Sequence, residues 1–124
     1  MNIPKGHQTV MPYLIVKGAA KLTDFAQKTF NAEVTLTKMR NDGRTIMHSE
    51  IQIGDSTIMI ADATEQWKPR TASIFVYVSD ADQAFNKAIQ LGAVTAMELS
   101  DQDYGRTCGV ADPFGNVWWI TSLN

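Results

Sequence analysis

Hydrophobic positions along the chain switch between two periods, and the switch lays out the elements. Leu22, Phe25, Ala26, Thr29 and Phe30 recur at the three-and-four spacing of an amphipathic helix, as do Ala81, Ala84, Phe85, Ala88 and Ile89. Each stripe predicts a helix lying on a sheet. The second helix carries its own punctuation: Ser79 or Asp80 caps its start, Gln83 stands where a capping box places it, and Gly92 supplies a left-handed exit. Asn31 has the exit role after the first helix. Elsewhere the period falls to two. A short strand ending at Val16 is followed by strands over 34–40, 45–53 and 57–62, with turns at Asn41-Asp42-Gly43 and Gly54-Asp55. Further strands are predicted over 72–78, 93–99, 104–111 and 117–122, and 63–70, which contains Pro69, reads as a connecting segment.

The element order occurs twice. A shift of about sixty residues lays Pro12-Tyr13-Leu14-Ile15-Val16 on Ser73-Ile74-Phe75-Val76-Tyr77-Val78, and Gly54-Asp55-Ser56-Thr57-Ile58-Met59 on Gly115-Asn116-Val117-Trp118-Trp119-Ile120. The predicted architecture is one α+β domain spanning 1–124, made of two tandem βαβββ modules over roughly 9–62 and 72–122 with a linker at roughly 63–71.

Composition narrows the function classes. A chain of 124 residues buries about two-thirds of its unfolded surface, enough for a core without staples. The formal charge of -2, with acids and bases interspersed, provides no basic stripe, which argues against nucleic acid and anionic membrane as partners. The single cysteine, Cys108, cannot form an intramolecular disulfide, and the longest apolar run, 10–16, is too short to span a bilayer. With no basic-then-apolar leader after Met1, a soluble cytoplasmic protein is expected.

Several blocks together carry a resemblance. The doubled βαβββ order, Tyr104-Gly105-Arg106 ahead of Asp112-Pro113-Phe114-Gly115-Asn116-Val117-Trp118, and His48-Ser49-Glu50-Ile51-Gln52-Ile53-Gly54-Asp55-Ser56 resemble the vicinal oxygen chelate superfamily of glyoxalase I, bleomycin-resistance proteins and extradiol dioxygenases. Within it the chain is most similar to the PhnB-like branch. The resemblance covers roughly 10–122 and implies curled mixed sheets around a shared cleft, with assembly into homodimers. Catalytic members of the superfamily place four His or Glu metal ligands on the first and last strand of each module. The matching positions here are Met11, Ile58 or Ile60, Ser73 and Trp119. Thioether, alkyl, hydroxyl and indole groups are poor ligands for hard or borderline cations, and the neighbouring residues are no better. The resemblance therefore predicts no conventional metal site, and no cofactor is expected.

The remaining candidates each have a functional and a structural reading. His7 is expected in a solvated tail. His48 and Glu50 share a strand face and form the weak catalytic pair, able to meet one polar substrate. Cys108 reads as a small buried residue, since no base stands near it in sequence. Asp112, Gly115 and Asn116 read as turn formers. Arg106 either clamps an anion or pairs with Asp101 or Asp103. By parity, Met11, Tyr13 and Ile15 share one strand face, Ser73, Phe75 and Tyr77 a second, Val117, Trp119 and Thr121 a third, and Ile58, Ile60 and Asp62 a fourth. Facing inward, these sets make an aromatic cleft in which Met11, Tyr13, His48, Glu50, Ser73, Phe75, Tyr77, Arg106 and Trp119 contact ligand; the alternative is that Trp119 plugs it.

Three functions fit this pattern. The favoured one is a metal-independent binding protein of the bleomycin-resistance kind, holding a partly aromatic or charged small molecule between the modules. The second is a lyase or isomerase working by proton transfer, with His48 or Glu50 as base and Tyr13 or Tyr77 as acid. The third is a dimeric scaffold with a plugged cleft.

Overall fold

In the computed structural model, which describes residues 1–123, the elements run β1 (Tyr13–Val16), α1 (Ala19–Phe30), β2 (Glu33–Met39), β3 (Ile46–Ile53), β4 (Ser56–Asp62), β5 (Ser73–Tyr77), α2 (Ala81–Gln90), β6 (Val94–Gln102), β7 (Gly105–Ala111) and β8 (Val117–Ser122). They form two compact units, one over Met1–Thr71 and one from Ala72 onward. The first unit's sheet has the order β1-β4-β3-β2 and the second's β5-β8-β7-β6. In each, the first and last strands pair in parallel and the other pairs are antiparallel. The repeat seen in the sequence is thus a repeat of topology, and the α+β class follows from it.

In the first unit, α1 buries Ala19, Leu22, Phe25, Ala26, Thr29 and Phe30 and packs on β3 and β4. Leu14, Val16, Ile51, Ile58 and Ile60 complete that core. Burying a side chain the size of Leu22 or Phe25 contributes about 2 to 3 kcal/mol, so this one stripe suffices to dock the helix. In the second unit α2 buries Ala81, Ala84 and Ala88 against β6, β7 and β8, whose inner face supplies Cys108, Val110, Trp118 and Ile120. Its stripe is narrower than the periodicity predicts, because Ile89 stays 37% exposed.

Helix ends explain the boundaries. Asp80 accepts from the Gln83 amide at 3.0 Å, as the capping reading requires. At the other end Gly92 adopts φ 100° while Gly92 N–H donates to Ile89 O and Ala93 N–H to Ala88 O, a Schellman closure. Asn31 closes α1 at φ 57°. The start of α1 has no local side-chain cap; Asp62 at the end of β4 accepts instead from the Ala19 amide at 2.8 Å and from the Ile46 amide at 2.7 Å.

Two sequence expectations shift. Strand β6 runs on through Ser100, Asp101 and Gln102, which read as loop because they are polar; as an edge strand it needs no apolar outer face. The repeat is also out of step by one residue after the last turn of each module. Residues 54–55 join β3 to β4, whereas 112–116 join β7 to β8, so Trp118 points to the core as Ile58 and Ile60 do, and not as Thr57 does. A register error of one residue inverts the faces of the strand that follows.

Candidate functional site

Register fixes which side chains share the face of the first sheet opposite α1. Tyr13 pairs with Met59 and Met59 with Glu50, while Ile15 pairs with Ala61, so Tyr13, Ile15, Met59, Ala61 and Glu50 lie together, with His48 two residues from Glu50. The parity expected for β4 is therefore corrected: Ile58 and Ile60 are buried on the helix side, at 5% and 1% exposure. Met11 precedes β1 and belongs to no strand face.

On this face four polar side chains form one hydrogen-bonded chain. Tyr13 Oη lies 3.0 Å from His48 Nδ1, His48 Nε2 lies 2.9 Å from Glu50 Oε2, and His7 Nε2 lies 2.7 Å from Glu50 Oε1. Glu50 is buried, and hydrogen bonds from His48 and then His7 hold its carboxyl below the usual range against the opposing effect of desolvation. An ionised carboxylate only accepts, so both imidazoles present Nε2–H to it, and a neutral His48 is left with an Nδ1 lone pair that accepts the Tyr13 hydroxyl. The direction of the chain is thereby set.

His7 is not the solvated tail residue that the sequence suggests. Its segment is tied down: Gly6 O accepts from Thr57 Oγ1 and from Gln52 Nε2, and the Gln8 carboxamide accepts from Thr57 N at 3.1 Å while donating to Thr57 O at 2.9 Å. The Gln8 side chain thus acts as a piece of neighbouring strand beside β4. A chain terminus is mobile only until such bonds order it.

Beside the polar chain lies a cavity of about 1260 Å³, walled by Tyr13, Ile15 and Ala61 from the sheet, Met39, Arg40 and Met47 around the β2–β3 connection, and Trp67 and Arg70 from the segment after β4. That segment is more than a linker. Arg70 exchanges two backbone hydrogen bonds with Ile15, at 3.0 and 2.8 Å, and Thr64 and Trp67 close a turn through reciprocal bonds of 2.9 Å. Trp67 is held there 57% exposed. Arg40 Nη2 donates to Asp62 O at 2.9 Å, while its Nη1 is buried with no hydrogen-bond partner among the described residues. Of the ligand contacts expected from sequence, Tyr13 alone lines this cavity. Trp67 and Arg70 were missed because they sit in a connection, where no period exists to orient a side chain; Met39 and Met47, at facing ends of β2 and β3, and Arg40, just after β2, were missed because no face was assigned to those two strands beyond His48 and Glu50. An exposed tryptophan in a polar linker was the available signal.

The second unit brings Ser73, Phe75, Tyr77 and Trp119 together on the face opposite α2, as parity predicts. Trp119 Nε1 donates to Ser73 Oγ at 2.7 Å, and Phe75 and Tyr77 meet edge to face with centroids 5.1 Å apart. A Cβ on Gly109 would fall 2.5 Å from the Trp119 ring, so the indole lies directly on bare backbone. Arg106 stands elsewhere. It is on the α2 side of its sheet, bound to Asp82 at 2.9 and 3.2 Å, with Asp101 at 3.6 Å. The expected pairing with Asp101 exists, Asp103 takes no part, and Asp82, whose carboxyl the guanidinium holds below its usual range, is the main partner.

Cys108 is fully buried and burial pushes its thiol up to about 11, the opposite of an activated nucleophile. Asp112 is fully engaged: Oδ1 accepts from the Phe114 and Asn116 amides at 2.8 and 2.9 Å, and Oδ2 from Asn116 Nδ2 and Trp118 Nε1 at 3.0 and 2.8 Å. Asn116 in turn accepts from the Ala72 amide. This turn is architecture.

The model of the Glyoxalase/Bleomycin resistance protein/Dioxygenase superfamily matches residues 6–120. The chain belongs to this superfamily. An uncharacterized Mycobacterium bovis protein is 34% identical over 119 residues, covering 86% of this chain and 78% of the relative. Among solved structures, a PhnB protein from Bacillus cereus superposes with TM-score 0.73 at 15% identity, over 94% of this chain and 100% of that one. TnmS3, an antibiotic binding protein from Streptomyces sp. CB03234, does so with TM-score 0.65 at 17% identity, over 95% and 100%. At such identities the structural likeness establishes the fold.

The metal used by catalytic members of the superfamily does not fit these residues. Ile58 and Ile60 point into the core, Ser73 Oγ is taken by Trp119, and Met11 and Trp119 offer no hard donor. His7 and His48 are each bonded to Glu50, and no group of three His, Cys, Asp or Glu among the described residues is arranged to hold an ion. Nor is any described helix long and apolar enough to cross a membrane.

Proposed function

We propose that this superfamily member is a metal-independent binding protein for a flat, partly apolar small molecule, held in the first unit's cavity. The observation that carries the reading is the composition of the cavity wall: two aromatic rings, Tyr13 and Trp67, two methionines, Met39 and Met47, and the guanidinium of Arg40. Rings and thioethers supply stacking and adaptable contact, and one or two polar groups orient the ligand. That a protein of this fold, TnmS3, is described as antibiotic binding supports the class of function. The aromatic face of Phe75, Tyr77 and Trp119 is the competing location. A cytoplasmic homodimer completes the proposal; β2, exposed along its whole length with Val34, Leu36 and Met39, is an edge that a second copy suits.

Titration with 8-anilinonaphthalene-1-sulfonate, an aromatic anion, tests the reading through tryptophan fluorescence. Saturable quenching that is lost in Trp67→Phe and kept in Trp119→Phe is the expected result. Quenching indifferent to Trp67 would move the site, and none at all would favour the scaffold reading.

A further inference from the structure

We infer that Tyr13 is an acid–base group which exchanges a proton with a carbon acid held in the cavity, the displaced phenolic proton passing to His48 and the resulting charge being held by Glu50. The inference rests on the binding reading, since the same cavity must admit the substrate.

Three observations meet at Tyr13. Its side chain is the one member of the polar chain that lines the cavity, and it is 46% exposed. Behind it His48 Nδ1 is within 3.0 Å, aligned by the 2.9 Å bond from Nε2 to Glu50. Glu50 in turn is fixed by the second imidazole, His7, and the strap of 6–8 that carries it, so the relay is held from both ends. A hydroxyl, an imidazole and a buried carboxylate in series are the parts that acid–base catalysis needs: the carboxylate orients the ring and stabilises the imidazolium when it forms.

The step balances without a further reactant. The substrate C–H bond breaks and its proton joins Tyr13 Oη; the original Tyr13 O–H breaks and that proton joins His48 Nδ1; the electron pair stays on the substrate as a delocalised carbanion. Return of the proton to another carbon completes an isomerisation, and loss of a leaving group completes an elimination. Arg40 and Arg70 at the cavity wall stabilise the developing negative charge. The substrate class is therefore a flat, partly aromatic molecule with one acidified C–H. The charged and titratable groups facing His48 are Tyr13 from β1, Lys38 opposite it on β2, Glu50 on its own strand and, through Glu50, His7; β4 contributes only Met59 and Ala61.

The probe is 5-nitrobenzisoxazole, a flat carbon acid whose ring opening by a base releases a coloured phenolate. Binding is followed by tryptophan quenching and turnover by absorbance, each against pH. Wild type is expected to bind it and open it at least about 100-fold faster than buffer, the low end of acid–base catalysis. Tyr13→Phe, which keeps the ring, should bind equally well and lose at least about 10-fold in rate. His48→Gln and Glu50→Gln act through Tyr13, so each should lower the rate and move or flatten the pH profile while binding is kept. Wild-type turnover in Tyr13→Phe, or binding with no turnover in the wild type, overturns the inference and leaves the binding reading intact. Failure of the probe to bind overturns both.

Discussion

One row of side chains across each sheet shows how the same topology has been put to two uses. In the first unit the row is Tyr13, Met59, Glu50 and Leu36; in the second it is Phe75, Trp119, Gly109 and Met97. Both rows lie on the face away from the helix. Where the second unit has Gly109, the missing side chain leaves room for the Trp119 ring, and the face becomes an aromatic platform with one polar tether, Ser73. Where the first unit has Glu50, a buried carboxylate must be satisfied, and it recruits two imidazoles, one of them from outside the sheet. The side chain of one central strand residue thus decides whether the face is stacked or wired.

That comparison can be broken at several points. The largest effect is expected at Trp118, which neighbours Trp119 but points into the core at 1% exposure. Trp118→Ala should cost about 3 to 5 kcal/mol in urea unfolding, whereas Trp119→Ala should cost much less and leave ligand binding in the first unit in place. Equal losses would mean that Trp119 is a plug. Next comes Gly109→Ala. Its methyl group must push the indole aside, and overpacking of this kind costs about 1 to 3 kcal/mol, accompanied by loss of the Trp119 to Ser73 bond in the NMR signal of the indole N–H. A smaller loss, about 1 to 2 kcal/mol, is expected for Glu50→Ala, which leaves two partly buried imidazoles without their acceptor; faster amide exchange in 6–8 would show that the strap has been released.

The smallest effect is one of pH. Glu50 has a lowered folded-state value, so its stabilising contribution is complete above its ordinary value of 4.5 and is lost as pH falls through the lower folded value. Below pH 4.5 the stability advantage of wild type over Glu50→Gln should therefore shrink, measured as the difference in urea midpoint at a series of pH values. An advantage that grows on acidification would assign the wrong sign to the interaction.

Much of the fold was legible because it rests on periodicity. The stripes Leu22 to Phe30 and Ala81 to Ala88, the cap at Asp80 and the exit at Gly92 each follow from local chemistry. The shared face of Ser73, Phe75 and Tyr77, and that of Val117, Trp119 and Thr121, were legible too, since side chains alternate along a clear strand; that β5 and β8 pair and bring Phe75 beside Trp119 came only with the structure. What failed to show was anything set by register or by chain outside the strands. The face of β4 depends on a two-residue turn at 54–55, and an error of one there exchanged Met59 for Ile58. His7 reaches Glu50 across 43 positions, and Trp67 reaches the cavity only because Arg70 pairs back on Ile15. Arg106 was placed with the ligand contacts because its strand was recognised but not its helix-side neighbour Asp82.

The central claim, that ligand occupies the wired unit and not the aromatic platform, is tested most directly by the three tryptophan indole N–H signals in a two-dimensional ¹H–¹⁵N spectrum. Titration with 8-anilinonaphthalene-1-sulfonate should shift the Trp67 signal to saturation and leave Trp118 and Trp119 in place. A saturating shift confined to Trp119 would contradict the account and return the site to Phe75, Tyr77 and Ser73.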